Sequence, residues 1–297
     1  MENISLSFII ATRNRLPFLK ITLENLINDL HPGEEIVVVD GNSTDGSKEY
    51  IRQLFEDGKI HQFVSEPDKN QAHAWNKAML MAKGTIIKKI IDDDVFCYSA
   101  IRRCKDYMLA NPPIDVMISN DMGSSLGDYK KIGSSSRLPQ FIKWKDQLVP
   151  SFTFGDVHLL IRKSSLAYIG LYNTGFVMMD WEYSLRISYL KANIAYYTGY
   201  NALNVAHLQS VTSLKNKKVI NNQGRRACAL YEYPGDSAEI TLWSKTKIFV
   251  GKRLKRLKKA TQVTKNTTDE DIHLMYNHYY NFLNEVNNEQ NFTIINS

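Results

Sequence analysis

The sequence is poor in cysteine and contains no long hydrophobic run. Among its 297 residues, only Cys97, Cys104 and Cys228 are cysteines. An odd, widely spaced set fits neither a disulfide framework nor a zinc cluster, so we expect a reducing compartment such as the cytoplasm. No stretch of eighteen apolar residues occurs, and we therefore predict no transmembrane helix. The N-terminal segment MENISLSFIIATRNR also lacks the basic and apolar regions of a secretory signal.

Two nucleotide-binding signatures are missing as well. No GxGxxG follows the first predicted strand, which argues against a dinucleotide-binding oxidoreductase or a related methyltransferase. No GxxxxGK(S/T) occurs, which argues against a P-loop enzyme. The composition, 43% hydrophobic and 23% charged, is ordinary for a globular protein. The function must therefore be inferred from particular segments.

The first part of the chain alternates between strand and helix patterns. Runs of apolar, often β-branched residues predict strands at 6–10, 34–40, 61–66 and 85–91. Apolar residues at helical spacing predict helices between these strands, and Gly84 is the expected C′ glycine of the third helix. This order implies a three-layer α/β/α architecture around a mostly parallel sheet. Residues 111–150, with many serines and glycines, are expected to form a loop or lid.

Three consecutive acids, Asp92, Asp93 and Asp94, end the fourth predicted strand. Like charges at a strand end repel one another unless a cation lies beside them. Mg²⁺ and Mn²⁺ bind carboxylate oxygens together with substrate phosphates. Asp40 ends the second predicted strand at the same edge of the sheet, where open α/β folds bind ligands. A solvated acidic turn is the alternative interpretation of the triplet, and a turn former before Gly41 is the alternative for Asp40.

Five segments resemble, in order, the sequence blocks of family 2 glycosyltransferases. Each string is weak by itself, but five in order over about residues 5–213 make a specific signal. The segments are SFIIATRNR, EEIVVVDGNSTDGS, SEPDKNQAHAWNKAMLMAKGTIIKKIIDDDV, MMDWEYSLRI and VAHLQSVTS. There are departures: Ala11 replaces the usual proline, Gly41-Asn42 replaces the commoner Asp-Gly, and Met179 replaces a frequent Glu.

The resemblance implies a GT-A fold and an inverting transfer of a sugar from a nucleotide-diphosphate donor. It implies that the nucleotide is bound by the first loop, by Asp40 at the base and by Asp68 near the base or ribose. Asp93 is expected to turn toward a backbone or basic partner. The full expected nucleotide-binding set is Ala11, Thr12, Arg13, Asn14, Asp40, Asn42, Asp68 and Asp93.

For the metal, the resemblance implies a DxD pair formed by Asp92 and Asp94, with Asp94 in direct contact with Mn²⁺ or Mg²⁺. His207 is expected to contact the metal or the diphosphate, and a structural hydrogen-bonding role is its alternative. Asp180 is the expected general base, because an acceptor hydroxyl must lose a proton as it attacks. Glu182 is the rival base, and N-capping of a helix is the alternative role of Asp180.

The basic character of the chain is local. Residues 241–260 hold eight Lys or Arg and no acid, so removing them changes the net charge from +6 to −2. Within this stretch, residues 242–260 have apolar residues roughly on one helical face and basic residues on the other. Such a helix either lies on an anionic membrane, at the inner face of the cell membrane, or packs on the catalytic domain. No nucleic-acid recognition motif accompanies the patch, so no nucleic acid partner is expected.

We expect a catalytic domain over residues 1–215 and a helical, basic extension over 216–297. Residues 1–97 form the nucleotide-binding half of the catalytic domain, and residues 98–215 form its acceptor-binding half. The leading hypothesis is a metal-dependent glycosyltransferase of the hexosyltransferase type that uses a UDP sugar and builds a cell-surface or lipid-linked glycan. A nucleotidyltransferase, or a non-catalytic protein that binds nucleotide sugars or glycans, is the alternative.

Overall fold

The computed structural model describes residues 4–207, 217–235 and 269–297, and a large sheet runs through this part of the chain. The strands of the described residues, in both sheets, are numbered in chain order. They are β1 (Leu6–Thr12), β2 (Glu34–Asp40), β3 (Gln62–Ser65), β4 (Ile86–Ile90), β5 (Val95–Phe96), β6 (Val116–Ser119), β7 (Asp121–Ser125), β8 (Gly133–Ser135), β9 (Leu160–Arg162), β10 (Ile194–Tyr197), β11 (Ala202–Ala206) and β12 (Ile294–Asn296).

Eight of these strands form the large sheet, in the order β12-β10-β6-β9-β4-β1-β2-β3. Strand β1 pairs in parallel with both β2 and β4, and β3 continues the parallel set beside β2. Strand β9 lies antiparallel between β4 and β6. Every residue of β2 is buried, as its continuous apolar run predicts for a strand covered on both faces. The mostly parallel sheet is confirmed.

Helices cover both faces of the sheet. One face packs against α1 (Leu16–Asn28), α2 (Ser47–Glu56), α4 (Tyr98–Ala110) and α9 (Asp269–Glu289). The other face packs against α3 (Gln71–Met81), α5 (Leu138–Lys145), α6 (Leu166–Ile169) and α7 (Met179–Tyr189). Helix α8 (Lys217–Leu230) packs on α7 through Ala227, which contacts Leu185. The expected three-layer α/β/α architecture is therefore confirmed.

Residues 111–150 are more regular than the sequence predicts. Instead of a loop or lid they contain β6, β7, β8 and α5. Strands β7 and β8 join β5 and β11 in a small sheet of order β5-β11-β7-β8. The prediction failed because serine and glycine have low strand propensity, and here the strands are stabilised by pairing with distant segments rather than by their own side chains.

The described C-terminal residues pack on the sheet. Helix α9 lies against β5 and α1, and β12 pairs antiparallel with β10 at the edge. The expected helical extension is confirmed, and the final residues form a strand because β10 offers them an unpaired edge. The domain boundary near residue 215 stays a prediction. Residues 242–260 lie outside the described residues. In the described ranges, no helix is both long and apolar enough to cross a membrane.

Candidate active site

The acid triplet follows β4, and each of its carboxylates has different partners. Asp92 accepts a hydrogen bond from the Thr12 hydroxyl at 2.6 Å, and its backbone carbonyl accepts one from Thr22 at 2.9 Å. Burial, followed by the neighbouring charge of Asp93, raises the pKa of Asp92 to about 7. Thr12, expected in the nucleotide pocket, thus ties the end of β1 to the triplet.

Asp93 binds basic partners, as the sequence predicts for one member of the triplet. Its Oδ2 lies 2.6 Å from a guanidinium nitrogen of Arg15 and 2.5 Å from Nε2 of His207. Burial opposes ionisation of Asp93, but the hydrogen bond to His207 and the charge of Arg15 prevail and lower its pKa. The ring of Phe18 stacks on His207 with 5.2 Å between centroids. The triplet therefore concentrates its negative charge beside Arg15 and His207.

Asp94 is bound by strand β11. Its Oδ1 accepts a hydrogen bond from the Val205 amide at 2.7 Å and lies 3.2 Å from the side-chain nitrogen of Asn204. Burial, and then the charge of Asp93, raise the pKa of Asp94 well above its ordinary value. The main chain of the triplet is also held in place, because the Tyr276 hydroxyl on α9 donates a hydrogen bond to the backbone carbonyl of Asp93 at 2.6 Å.

Carboxylate oxygens and an imidazole nitrogen are donors that suit Mn²⁺, and Mg²⁺ takes one or two carboxylates together with phosphate oxygens. Asp93 and His207 meet as such a pair, with Asp92 and Asp94 adjacent in the chain. Within the described residues, no group of three or more His, Cys, Asp or Glu is arranged to hold a metal by itself. A cation held here would therefore need further oxygen donors, such as those of a diphosphate.

Asp40 holds its own loop. It is fully buried, and its carboxylate accepts hydrogen bonds from the amide and hydroxyl of Ser43 and from the Ser65 hydroxyl at 2.6 Å. Asn14 connects this loop to the one after β1, because its amide donates to Ser43 Oγ at 2.9 Å and its side chain accepts from the Thr44 amide at 2.8 Å. Both loops expected to bind the nucleotide are thus joined at one edge of the sheet.

Four further expected nucleotide contacts lie at that edge. Arg13 and Asp68 approach each other over Gly41, where an added Cβ would lie 3.2 Å from a side-chain atom of each. Asp68 also forms ion pairs with Lys77 at 2.8 Å and His73 at 3.1 Å. Ala11 lies near the end of β1, and Asn42 is exposed with a left-handed φ of 60°. The structure therefore brings the whole expected nucleotide-binding set to one region.

A cavity of about 520 Å³ opens beside the triplet. Ile91, which precedes the triplet, and Asn204, which contacts Asp94, line it together with Asp180 in the first turn of α7. This volume lies within the range of small-molecule sites. Burial, and then the charge of Asp156, raise the pKa of Asp180. Asp180, the expected base, therefore lines the same cavity as Ile91 and Asn204, which lie next to the expected metal ligands.

Glu182 lies elsewhere. Its carboxylate is buried, contacts Arg186 at 3.0 Å through each oxygen, and accepts a hydrogen bond from the Tyr231 hydroxyl at 2.5 Å. It is not among the residues that line the cavity. The two candidate bases, two residues apart in sequence, thus have separate surroundings.

Sequence reasoning missed several residues of this region. Arg15 and Tyr276 contact the triplet, and Asp121, Asp156 and His158 line the cavity. His158 lies 3.1 Å from Asp121 through Nε2, and burial lowers its pKa to about 3, so the ring is neutral. For Asp156 and His158, the sequence signal was the presence of two polar residues in the segment GDVH, within an otherwise apolar stretch.

A family model decides the identity. The model of glycosyl transferase family 2 matches residues 7–170, more than half of the chain. The chain belongs to glycosyl transferase family 2. The catalytic class expected from the sequence, a glycosyltransferase, is therefore confirmed.

This family 2 glycosyltransferase is similar to several curated proteins. It is 21% identical over 243 residues to the Escherichia coli UDP-Glc:α-D-GlcNAc-diphosphoundecaprenol β-1,3-glucosyltransferase WfgD, a match covering 80% of this chain and 88% of that protein. Matches to two further curated relatives cover only 41% and 47% of those proteins.

Solved structures share the fold. TarS of S. aureus, in complex with UDP-GlcNAc, superposes with a TM-score of 0.59 at 16% identity, over 79% of this chain and 68% of that chain. The mannosyltransferase PcManGT of Pyrobaculum calidifontis, in complex with GDP-Man and Mn²⁺, superposes with a TM-score of 0.54 at 17% identity, over 80% and 68%. At such identities the likeness establishes the GT-A-like fold alone.

Proposed function

We propose that this glycosyltransferase moves a hexose from a UDP sugar to a hydroxyl of a lipid-linked or cell-surface glycan, with inversion at the anomeric carbon. The observation that carries the proposal is the cavity that Ile91, beside the acid triplet, and Asp180 line together. WfgD is named for UDP-glucose and a sugar on diphosphoundecaprenol, and TarS has been solved with UDP-GlcNAc. Both support a UDP sugar, and the first supports a lipid-linked acceptor.

Asp180 is the proposed general base. It takes the proton of the acceptor hydroxyl as that oxygen attacks the sugar carbon on the face opposite the leaving diphosphate. Its raised pKa favours this role, because a more basic carboxylate accepts a proton more readily while it is still ionised. Glu182 is the weaker candidate, since Arg186 and Tyr231 already bind its oxygens.

Asp93 and His207 are the proposed primary ligands of Mn²⁺ or Mg²⁺, with Asp92 and Asp94 beside them. This proposal differs from the expected pairing of Asp92 with Asp94, because His207, which the sequence also assigns to the metal, contacts Asp93. When bound, the cation neutralises the charge that develops on the leaving diphosphate. Arg15, which contacts Asp93, supplies a second positive charge at the same place. The Mn²⁺ in the PcManGT complex supports this proposal by analogy of fold.

A panel of nucleotide sugars tests the function. Thermal melting and release of free UDP are measured with UDP-glucose, UDP-GlcNAc, GDP-mannose and a blank, each with MnCl₂, MgCl₂ or EDTA. We expect a UDP sugar to raise the Tm only with the divalent cation and UDP to be released slowly without an acceptor. Stabilisation without any turnover on lipid-linked acceptors would favour the non-catalytic alternative. No stabilisation by any donor contradicts the proposed donor site.

Contact with an anionic membrane through residues 242–260 is a separate proposal. It rests on the eight basic residues within 241–260 and on the lipid-linked acceptor in the name of WfgD. The full chain and a variant with Lys252, Lys255, Lys258 and Lys259 changed to Gln are sedimented with phosphatidylglycerol vesicles. The control changes exposed lysines elsewhere, Lys20, Lys59, Lys83 and Lys143, to Gln. We expect only the first variant to lose binding, and equal binding of all three proteins contradicts the proposal.

A further inference from the structure

Two consecutive lysines, Lys88 and Lys89, are buried in β4 near the middle of the large sheet. Neighbouring residues of a strand face opposite sides of the sheet. Both side chains nevertheless reach the same short turn, Asp156–His158, which lines the cavity. Lys88 donates to the Val157 carbonyl, and Lys89 forms an ion pair with the Asp156 carboxylate.

The turn is held further by the side chain of Asn201, which directly precedes β11. The side-chain nitrogen of Asn201 donates to the His158 carbonyl at 2.8 Å, and its side-chain amide oxygen lies 3.3 Å from the Lys88 ammonium. A buried lysine is costly unless it is hydrogen-bonded or paired. Two buried lysines bind this one turn, which indicates that the turn must be held in a fixed position.

Among the described residues, Asp156 binds its partners through only one of its two oxygens. Lys89 and the Tyr172 hydroxyl, at 2.8 Å, both bind Oδ2. The Lys89 ammonium also lies 4.4 Å from the centre of the Trp75 ring. Among the described residues, none forms a hydrogen bond or ion pair with Oδ1. Oδ1 is also absent from the set of enclosed polar atoms without a partner, so it is not fully enclosed. Asp156 lines the cavity together with Asp180, so Oδ1 is the oxygen of Asp156 that is left to accept a hydrogen bond from a ligand there.

We propose that Asp156 binds a hydroxyl of the donor sugar through Oδ1 and thereby selects the donor. Lys89 and Tyr172 act through Asp156 as positioning residues. The inference rests on the proposed function and names the residue that recognises the sugar. The sugar is joined to the diphosphate, so it occupies the part of the cavity next to the triplet, where Ile91 and Asn204 also lie.

The chemistry fits a sugar hydroxyl. A carboxylate accepts hydrogen bonds from hydroxyl groups, and such charge-assisted bonds are shorter and stronger than neutral ones. Lys89 places its positive charge directly beside the Asp156 carboxylate and so compensates the burial of that charge. A fixed polar group that pairs with one hydroxyl strongly rejects an analogue without that hydroxyl.

Donor hydrolysis without an acceptor tests the proposal, because it isolates the donor sugar. The wild type and Asp156→Asn are assayed with the best UDP-hexose of the panel and with its 2-, 3-, 4- and 6-deoxy analogues. We expect Asp156→Asn to lower kcat/KM for the parent donor roughly 10- to 100-fold. For one deoxy analogue, the kcat/KM values of the wild type and of Asp156→Asn should agree within a few-fold, since that analogue already lacks the hydroxyl that Asp156 binds.

Two other results overturn the proposal. One is an unchanged kcat/KM for the parent donor, and the other is an equal loss on all five donors, which indicates a general structural effect. A wild type that neither hydrolyses any nucleotide sugar nor is stabilised by one instead contradicts the proposed function. The two failures are therefore distinguishable.

The positioning residues have their own test. Tyr172→Phe removes one hydroxyl and should lower kcat/KM several-fold, with the same deoxy analogue again insensitive. Tyr183→Phe is the matched control, because its buried ring contacts Tyr172 and its hydroxyl binds the Gly170 carbonyl instead of Asp156. An equal effect of both variants on all donors contradicts the role of Tyr172.

Lys89→Met alone leaves a buried acid without its cation, so its folding is checked first by circular dichroism. The double variant Lys89→Met/Asp156→Asn removes both charges together. We expect it to be no less active than Asp156→Asn, because Lys89 acts through Asp156. A further loss of tenfold or more in a folded double variant contradicts that role.

Discussion

Glu182 and Arg186, one turn apart on α7, form a two-pronged ion pair in which both nitrogen–oxygen distances are 3.0 Å. The pair stabilises the packing around Tyr231, which donates to the same carboxylate. Asp180, two residues before Glu182, faces the cavity instead. Neighbouring acids on one helix thus have different tasks, since positions two apart lie on different sides of a helix.

Replacing each acid by its amide separates the two tasks. Asp180→Asn should lower transfer on the order of 10²–10⁴-fold, the usual contribution of a general base, and leave donor-induced stabilisation unchanged. Glu182→Gln should cost about 1–3 kcal/mol of stability because it weakens buried hydrogen bonds. Activity at saturating donor and chemical denaturation are measured on both. A stable Glu182→Gln protein without transfer activity would make Glu182 the base.

Amide variants of the triplet identify the cation ligand. Asp93→Asn should abolish the Mn²⁺-dependent rise in Tm that UDP produces, because Asp93 is the acid in contact with His207. Asp94→Asn should mainly lower the Tm of the free protein, since it weakens the bond to the Val205 amide. Full Mn²⁺ dependence in Asp93→Asn, with its loss in Asp94→Asn, would instead support the pairing expected from the sequence.

Lys88 should make stability depend on pH. Burial lowers its pKa from 10.5 to about 7. Between these values the unfolded state holds the proton and the folded state loses it, so stability relative to Lys88→Met should rise with pH by up to about 1.4 kcal/mol per unit. Below pH 7 both states are protonated, so the difference becomes constant.

Urea denaturation at pH 6, 7, 8 and 9 measures this difference. Comparison with Lys88→Met cancels the titration of other groups, and Lys59→Met, at an exposed lysine, is the matched control for the loss of a lysine side chain. If the free energies of unfolding of the wild type and Lys88→Met change in parallel with pH, Lys88 stays charged when buried.

Gly84 should not tolerate a side chain. An added Cβ would lie 2.6 Å from the Ser7 amide nitrogen, so Gly84→Ala should destabilise the protein by about 1–3 kcal/mol. Gly133→Ala is the control, because the nearest atom to its Cβ would be 4.0 Å away. Thermal melting compares the two, and equal Tm values would show that β1 can shift to accommodate the methyl group.

Gly84 also shows where local reasoning is insufficient. The sequence predicts a C′ glycine, but α3 ends at Met81 and φ at Gly84 is not positive. The glycine is required by the close approach of β1, where the Ser7 hydroxyl accepts from its amide at 2.7 Å. That neighbour is 77 residues away in sequence, and no local pattern shows it.

The sequence by itself determined the strands and helices of the first half, because apolar runs and helical spacing are local properties. It also determined that Asp40 and the acid triplet share one edge, since parallel strands align their carboxyl ends. Only the tertiary structure decided which acid meets His207, which of Asp180 and Glu182 faces the cavity, and that Asp156 lines it. Those choices depend on directions of side chains and on partners from distant segments, such as Arg15, which the order of residues does not specify.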